Sequence, residues 1–149
     1  MVAAFRIRPY RREDEDAAIA LWQRTWQQTY PDIEFAARVA WWRGRWCNEL
    51  VPNATIIVAE EASALVGFVT LDRKGYLDQL VVAPDHWGSK LAERLVNEAK
   101  RLSPDGITLL VNTDNARAIR FYERNGFVHA GADVNPTSGR PVLRMEWKG

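Results

Sequence analysis

The stretch that decides the fold is 80-LVVAPDHWGSKLAERL-95. A short β-branched run stops at Pro84, a turn of small and polar residues follows, and a helix pattern begins near Leu91. At such a junction several backbone N–H groups and the positive end of the helix dipole point at one spot. The stretch therefore predicts a strand, an anion-binding turn and a helix in succession.

A second strand-to-helix junction reads 111-VNTDNARAIRFYERNGF-127, and its helix carries Tyr122 and stops at Gly126. The glycine predicts a left-handed helix cap. In this order the two blocks resemble the acetyl-CoA-binding core of the GNAT superfamily of N-acetyltransferases. A generic nucleotide-binding α/β turn is the alternative. A P-loop is excluded because it needs Gly-Lys-Ser/Thr, whereas residues 88–90 read Gly-Ser-Lys.

The remaining periodicity predicts the order β-α-α-β-β-β-α-β-α-β-β, which is also the order of the GNAT fold. The second helix has the apolar stripe Phe35, Val39, Trp42 and Trp46, and residues 51–53 are expected to form a turn. The resemblance implies an α+β fold of α/β/α type in a single domain, residues 1–149. Its mixed, mostly antiparallel central sheet would have about seven strands with about four helices. Strands four and five would splay apart at residues 82–84.

Length and composition set limits on the function. The chain has 149 residues, 26% of them charged, and a formal net charge of +1. This balance gives no case for nucleic acid or an anionic membrane as the main partner. The lone Cys47 excludes an internal disulfide and fits a reducing, cytoplasmic setting. No run approaches the ~20 apolar residues that a membrane span requires.

The resemblance implies acetyl-CoA as co-substrate and no metal. The family's phosphate motif has Arg or Gln, two arbitrary residues, Gly, one arbitrary residue, then Gly or Ala. Here Trp87 replaces the Arg or Gln, Lys90 replaces the first glycine, and Ala92 fits the last position. Lys90 is expected to add a cation for a CoA phosphate; a solvated lysine is the alternative. The expected cofactor-binding residues are Leu80, Val81, Val82, Gly88, Ser89, Lys90, Leu91, Ala92, Glu93, Asn115 and Tyr122.

Two residues are candidates for catalysis. By resemblance, Tyr122 would protonate the departing CoA thiolate; a core tyrosine is the alternative. Asn115 would contact the cofactor arm or cap the helix, and both roles are compatible. The fifth strand offers no carboxylate, so Asp78 on the fourth strand is the candidate general base, with a solvated strand residue as the alternative.

The first two helices and the last hairpin cover the acceptor site in this superfamily. Trp26, Tyr30 and Tyr76 are the expected substrate-binding residues, and their aromatic lining favours a small-molecule primary amine. A protein N-terminal or lysine acetyltransferase stays open, and so does a non-catalytic acyl-CoA-binding sensor. Trp41 lies off the helix stripe. Its exposed ring would suit either a pocket or the interface of a homodimer.

Overall fold

The computed structural model describes residues 5–149, and its elements follow the expected order. The strands are β1 (Arg6–Pro9), β2 (Ala54–Glu61), β3 (Ala64–Asp72), β4 (Tyr76–Val82), β5 (Ile107–Asn112), β6 (Val128–Val134) and β7 (Pro141–Trp147). The principal helices are α1 (Glu15–Thr29), α2 (Val39–Arg45), α3 (Leu91–Leu102) and α4 (Ala116–Arg124). Within residues 5–149, no helix has the combined length and apolar character needed to traverse a bilayer.

All seven strands form one sheet in the order β1-β2-β3-β4-β5-β7-β6. Among the strands of residues 5–149, only β4 and β5 pair in parallel, and every other neighbouring pair is antiparallel. Ala62 and Ser63 join β2 to β3 with positive φ angles of 50° and 70°, the geometry of a tight hairpin turn. The mixed, mostly antiparallel sheet expected from the sequence is confirmed.

Helices cover both faces of the sheet. On β3, a Cβ at Gly67 would lie 3.0 Å from Leu95 of α3, whereas the next residue, Phe68, packs edge-on against Trp46 beyond α2. Because successive strand residues point to opposite faces, α2 and α3 lie on opposite sides. Helix α1 joins α2 through the stacked rings of Trp22 and Trp42, whose centroids are 4.7 Å apart. The result is an α/β/α arrangement.

The second helix continues further than its sequence suggests. After α2 the chain forms a π-helical turn over Trp46–Leu50 and a last α-helical turn over Val51–Asn53. The expected non-helical turn at residues 51–53 is therefore wrong. Pro52 is tolerated there because it stands at the first turn of that α-helical segment, where proline is compatible with helix geometry. The stripe residues Trp42 and Trp46 are fully buried, as expected.

A buried ion pair joins the start of α1 to the sheet. The guanidinium of Arg8 on β1 donates to both carboxylate oxygens of Asp14, at 2.8 and 2.9 Å, and to Glu60 on β2 at 3.3 Å. The backbone N–H of Arg11 also donates to Asp14, at 2.8 Å. These bonds hold the pKa of Asp14 below its usual range, chiefly through Arg8. They fix the point from which α1 crosses the sheet.

Candidate active site

Strands β4 and β5 separate early, which opens the sheet at its centre. Their parallel pairing covers only Tyr76–Thr108 and Leu77–Leu109. The sequence predicts the splay itself, but at residues 82–84; it begins just after Leu77. From there to the end of β4, the edge facing β5 has no strand partner among the described residues.

The unpaired edge of β4 presents backbone donors to this opening. Ala83 donates its N–H to Val66 at 2.8 Å, and Gln79 donates to the Thr70 hydroxyl at 3.0 Å, both toward β3. Backbone groups alternate between the two edges of a strand. The N–H groups of Leu80 and Val82 therefore point into the gap, where a ligand with amide or carbonyl groups can meet them.

A cavity of about 470 Å³ fills the opening and extends to the helix ends around it. This volume is in the range of small-molecule sites. It is lined by residues from α1, the end of β4, the following turn, α3 and α4. Those expected from the sequence are Trp26, Leu80, Val81, Val82, Gly88, Ser89, Ala92, Glu93, Asn115 and Tyr122.

The turn after β4 leads from the strand directly into α3, as the sequence predicts. Gly88 has a φ of 82°, a conformation that glycine adopts without strain, and a Cβ there would meet nothing within 4 Å. Ser89 accepts a bond from the N–H of Leu91 at 3.3 Å and so supports the first turn of α3. Small residues thus leave open space beside a helix start, which suits a phosphate group.

The side chains of two expected cofactor-binding residues are not part of the cavity lining. Leu91 is fully buried in the core, so its side chain packs the start of α3 and does not reach the cavity. The Lys90 side chain is exposed and is not part of the cavity lining. Two arginines of α4 do line the cavity, Arg117 in its first turn and Arg124 at its end, and of these Arg117 contacts Trp87 of the turn.

Tyr122 lies on the cavity side of α4. The residue is 8% exposed, and its ring packs edge-on against Phe121 and Phe127, with centroids 5.4 Å away in each case. Burial raises the pKa of the phenol. Asn115 caps the same helix by accepting the N–H of Ala118 at 3.3 Å, and it also lines the cavity. The two interpretations of Asn115 are thus compatible in the structure.

The structure does not bring Asp78 together with Tyr122. The Asp78 carboxylate forms a two-pronged ion pair with Arg45 of α2, one bond of which measures 2.8 Å, and it also accepts from Gln79 at 3.1 Å. The pair lies in a second, smaller cavity of about 160 Å³ together with Tyr76. Because the Arg45 guanidinium bonds to both carboxylate oxygens, Asp78 is poorly placed to take a proton from the substrate amine. Its role as a base stays a prediction.

That prediction has a direct test in Asp78→Asn. If the carboxylate serves only to hold α2 on β4, turnover by the variant should stay within a few-fold of wild type. It should lose roughly 1–3 kcal/mol of unfolding free energy, because Arg45 loses its charged partner. Steady-state kinetics and thermal unfolding measure the two effects. Turnover that falls by roughly 100-fold or more at unchanged stability would restore Asp78 as the general base.

Aromatic residues border the cavity at the end of α1. Trp26, which lines the cavity, stacks on Tyr30 with ring centroids 5.9 Å apart. The Tyr30 hydroxyl donates to Asp114 at 2.8 Å and accepts from Asn112 at 3.0 Å. Arg140, from the loop between β6 and β7, completes this cluster by pairing with Asp114 at 2.9 Å. Burial, with the bond to Asp114, raises the pKa of Tyr30 to about 12. Tyr30 thus packs against Trp26 but is not itself part of the cavity lining.

Sequence reasoning missed Thr25 and Thr29 of α1 and Arg117 of α4, all of which line the cavity. Thr25 is 7% exposed, and neither its hydroxyl nor the Trp26 indole N–H finds a partner among the described residues. Buried donors without partners suit a site that a polar ligand completes. The one available signal was helical spacing, since residues 25, 26 and 29 share a helix face.

Comparison with known proteins agrees with this geometry. The acetyltransferase (GNAT) family model matches residues 15–127. The chain is 31% identical to the peptidyl-lysine N-acetyltransferase YjaB of Salmonella typhimurium, over 91% of each chain. It is 32% identical to the spermidine N(1)-acetyltransferase of Vibrio cholerae over 50% of this chain and 49% of that one. The fold matches PaiA N-acetyltransferase from Thermoplasma acidophilum in complex with coenzyme A, with a TM-score of 0.81, 22% identity and coverage of 98% and 99%.

Proposed function

Because this chain belongs to the GNAT family of acetyltransferases, we propose that it moves the acetyl group of acetyl-CoA to an unbranched primary alkylamine. The first candidate acceptor is a lysine side chain in a peptide or protein. A relative named as a peptidyl-lysine acetyltransferase aligns over 91% of both chains, whereas the spermidine acetyltransferase aligns over 50% of this one. This order reverses the expectation from sequence, which places a small-molecule amine first.

The observation that carries the proposal is the chemical contrast between the walls of the large cavity. Helix α1 contributes the hydroxyls of Thr25 and Thr29 and the indole of Trp26 to the lining, and it contributes no charged side chain. In the same cavity, the edge of β4 presents the backbone N–H groups of Leu80 and Val82. An amine attacks only as the neutral base, and a side chain such as Thr25 can accept its N–H without retaining its positive charge.

The residues fit the acetyl donor. The gap beside β4 can accept an amide-bearing chain along free backbone groups, and the open space at Gly88 can accept phosphates. Acetyl-CoA supplies an acetyl group activated as a thioester. As the amine adds, the carbonyl oxygen gains negative charge, which one N–H group on this edge of β4, that of Leu80 or Val82, would stabilise. Such a donor is typically worth ~3 kcal/mol. Tyr122 would then give its proton to the departing sulfur, and the proton released by the amine nitrogen would restore the phenol.

A substrate panel tests the acceptor. We expect acetyl transfer to an N-terminally blocked peptide with one lysine, and none to the same peptide with arginine in its place. A peptide with a free N-terminus and no lysine separates α-amine from ε-amine acetylation. Release of the CoA thiol and the mass of the product report transfer. Exclusive reaction with the free N-terminus would overturn the lysine assignment.

A polyamine is the second candidate, because spermidine presents the same unbranched alkylamine and one relative carries that name. Spermidine and the lysine peptide should therefore be compared by kcat/KM, with each amine concentration expressed as its neutral form. A preference for spermidine of about 100-fold or more would place the polyamine first. Tight CoA binding with no thiol release over the whole panel would instead favour the acyl-CoA-binding sensor and overturn the enzymatic proposal.

A further inference from the structure

An arginine and a tryptophan form a stacked pair at the phosphate end of the cavity. The guanidinium carbon of Arg117 lies 3.7 Å from the centre of the Trp87 ring. Both residues line the cavity together with Gly88 and Ser89. The pair joins the turn after β4 to the first turn of α4, two segments that are far apart in the sequence.

The tryptophan is held in place by the strand. Its indole N–H donates to the carbonyl oxygen of Val82 at 2.9 Å, on the edge of β4 that faces the gap. One ring face of Trp87 is thereby fixed as a platform for the guanidinium. Stacking of this kind leaves the N–H groups at the edge of Arg117 available for a planar, two-pronged acceptor such as a phosphate.

Arg117 has no competing anion in the part of the chain that the structure describes. Neither the ion pairs nor the side-chain hydrogen bonds of residues 5–149 engage its guanidinium. Partial desolvation lowers its pKa without a carboxylate to offset that effect. An arginine drawn over an aromatic ring at a cavity, with its donors unengaged, suits an anionic ligand that supplies the missing acceptors.

The sequence shows why this chain needs such a cation. Trp87 occupies the motif position where the family has Arg or Gln, so that side chain is missing from the turn. Lys90, the neighbouring cation, does not line the cavity. Arg117 lies over the side chain that replaced the motif residue.

We propose that Arg117, seated on Trp87, binds the pyrophosphate of acetyl-CoA and replaces the motif side chain that this turn lacks. The pyrophosphate is the group to expect because Arg117 shares the cavity with the Gly88–Ser89 turn. The inference rests on acetyl-CoA as donor, and it assigns a contact within that site. It also assigns Trp87 a positioning role toward the arginine.

Binding titrations with three ligands test the assignment. For Arg117→Met, affinity for CoA and for dephospho-CoA should fall equally, by about 10- to 100-fold, the range for hydrogen bonds to charged groups. Affinity for pantetheine, which has no phosphate, should not change. The matched control is Arg120→Met, since Arg120 is exposed on the same helix, as Arg117 is, but lies outside the cavity lining. It should bind all three ligands like wild type, and so should Lys90→Ala.

A rescue experiment separates charge from packing. Trp87→Arg in the Arg117→Met background restores a cation at the motif position and should recover most of the lost CoA affinity. Trp87→Leu alone should weaken CoA and dephospho-CoA in the same direction as Arg117→Met. Loss for CoA but not dephospho-CoA would move Arg117 to the 3′-phosphate and overturn the proposal. Equal loss for pantetheine, or no loss for any ligand, would also overturn it. Wild-type CoA binding, measured alongside, tests the proposed function separately.

Discussion

Replacing Tyr122 with phenylalanine is expected to lower kcat by about 10²- to 10⁴-fold, the usual range for a lost general acid. Affinity for acetyl-CoA should stay close to that of wild type. A proton donor to sulfur acts only as the C–S bond breaks. Its loss therefore belongs to the transition state and not to ground-state binding.

The packing around Tyr122 makes this substitution a clean one. The ring sits between Phe121 and Phe127, and phenylalanine keeps both edge-on contacts. Among residues 5–149 the Tyr122 hydroxyl makes no hydrogen bond that its removal would break. Folding stability should therefore change by less than about 1 kcal/mol. A fall in kcat can then be assigned to the missing hydroxyl.

Burial raises the pKa of Tyr122, and this has two consequences. The phenol stays protonated through the neutral and mildly alkaline range, so its ionisation should add no alkaline limb to the pH profile there. It is also a weaker acid than an exposed tyrosine. A thiolate in the same desolvated place is a stronger base, which offsets that weakness. We therefore expect the fall in kcat for Tyr122→Phe to lie toward the lower end of the 10²- to 10⁴-fold range.

The matched control is Tyr76→Phe. Tyr76 is a half-buried tyrosine whose pKa is likewise raised by burial, to about 12, but it lies in the second cavity with Asp78. Its loss of a hydroxyl should leave kcat unchanged. Steady-state kinetics on a responsive amine, with cofactor binding followed separately, compares the two variants. Wild-type turnover in Tyr122→Phe would demote Tyr122 to a packing residue and shift proton transfer to water.

Local sequence patterns predict the framework of the site but not its long-range pairings. The bounds of β4, the glycine turn, the cap at Asn115 and the inward face of Tyr122 each depend on residues a few positions apart. The Arg45–Asp78 pair joins residues 33 positions apart, and nothing in the strand pattern identifies the partner. The sequence therefore favours a catalytic Asp78, whereas the structure pairs its carboxylate with an arginine.

Charged residues at helix starts pose a similar difficulty. Lys90 and Arg117 both stand at the beginning of a helix, where a solvated cation is the ordinary interpretation. Proximity to the glycine turn favours Lys90 as the phosphate contact. The tertiary fold brings Arg117 to Trp87 instead, because the splayed strands place the start of α4 against the turn after β4. Such a choice depends on the relative placement of two helices, which periodicity does not specify.

Replacing Asp14 with alanine is expected to destabilise the fold by about 3 kcal/mol, near the lower end of the cost of breaking a buried ion pair. The variant leaves Arg8, which is 9% exposed, with the Glu60 carboxylate at 3.3 Å and the Pro9 carbonyl at 3.1 Å as its acceptors, and it removes the acceptor for the Arg11 N–H. For a chain of this length the midpoint of thermal unfolding should fall by roughly 6–12 °C. Asp16→Ala is the control, because that carboxylate is 92% exposed and should shift the midpoint little.

The pH dependence identifies the carboxylate as the source of this stability. Arg8 lowers the pKa of Asp14 in the folded state, so the contribution is fully present above the unfolded value of about 3.9 and is lost as pH falls through the folded value. The difference in unfolding free energy between wild type and Asp14→Ala should therefore be constant near neutrality and shrink under acid conditions. A difference that persists unchanged in acid would mean that the alanine acts by leaving a void. The cost would then have to be assigned to packing at the start of α1, the helix that carries Thr25 and Trp26 to the cavity.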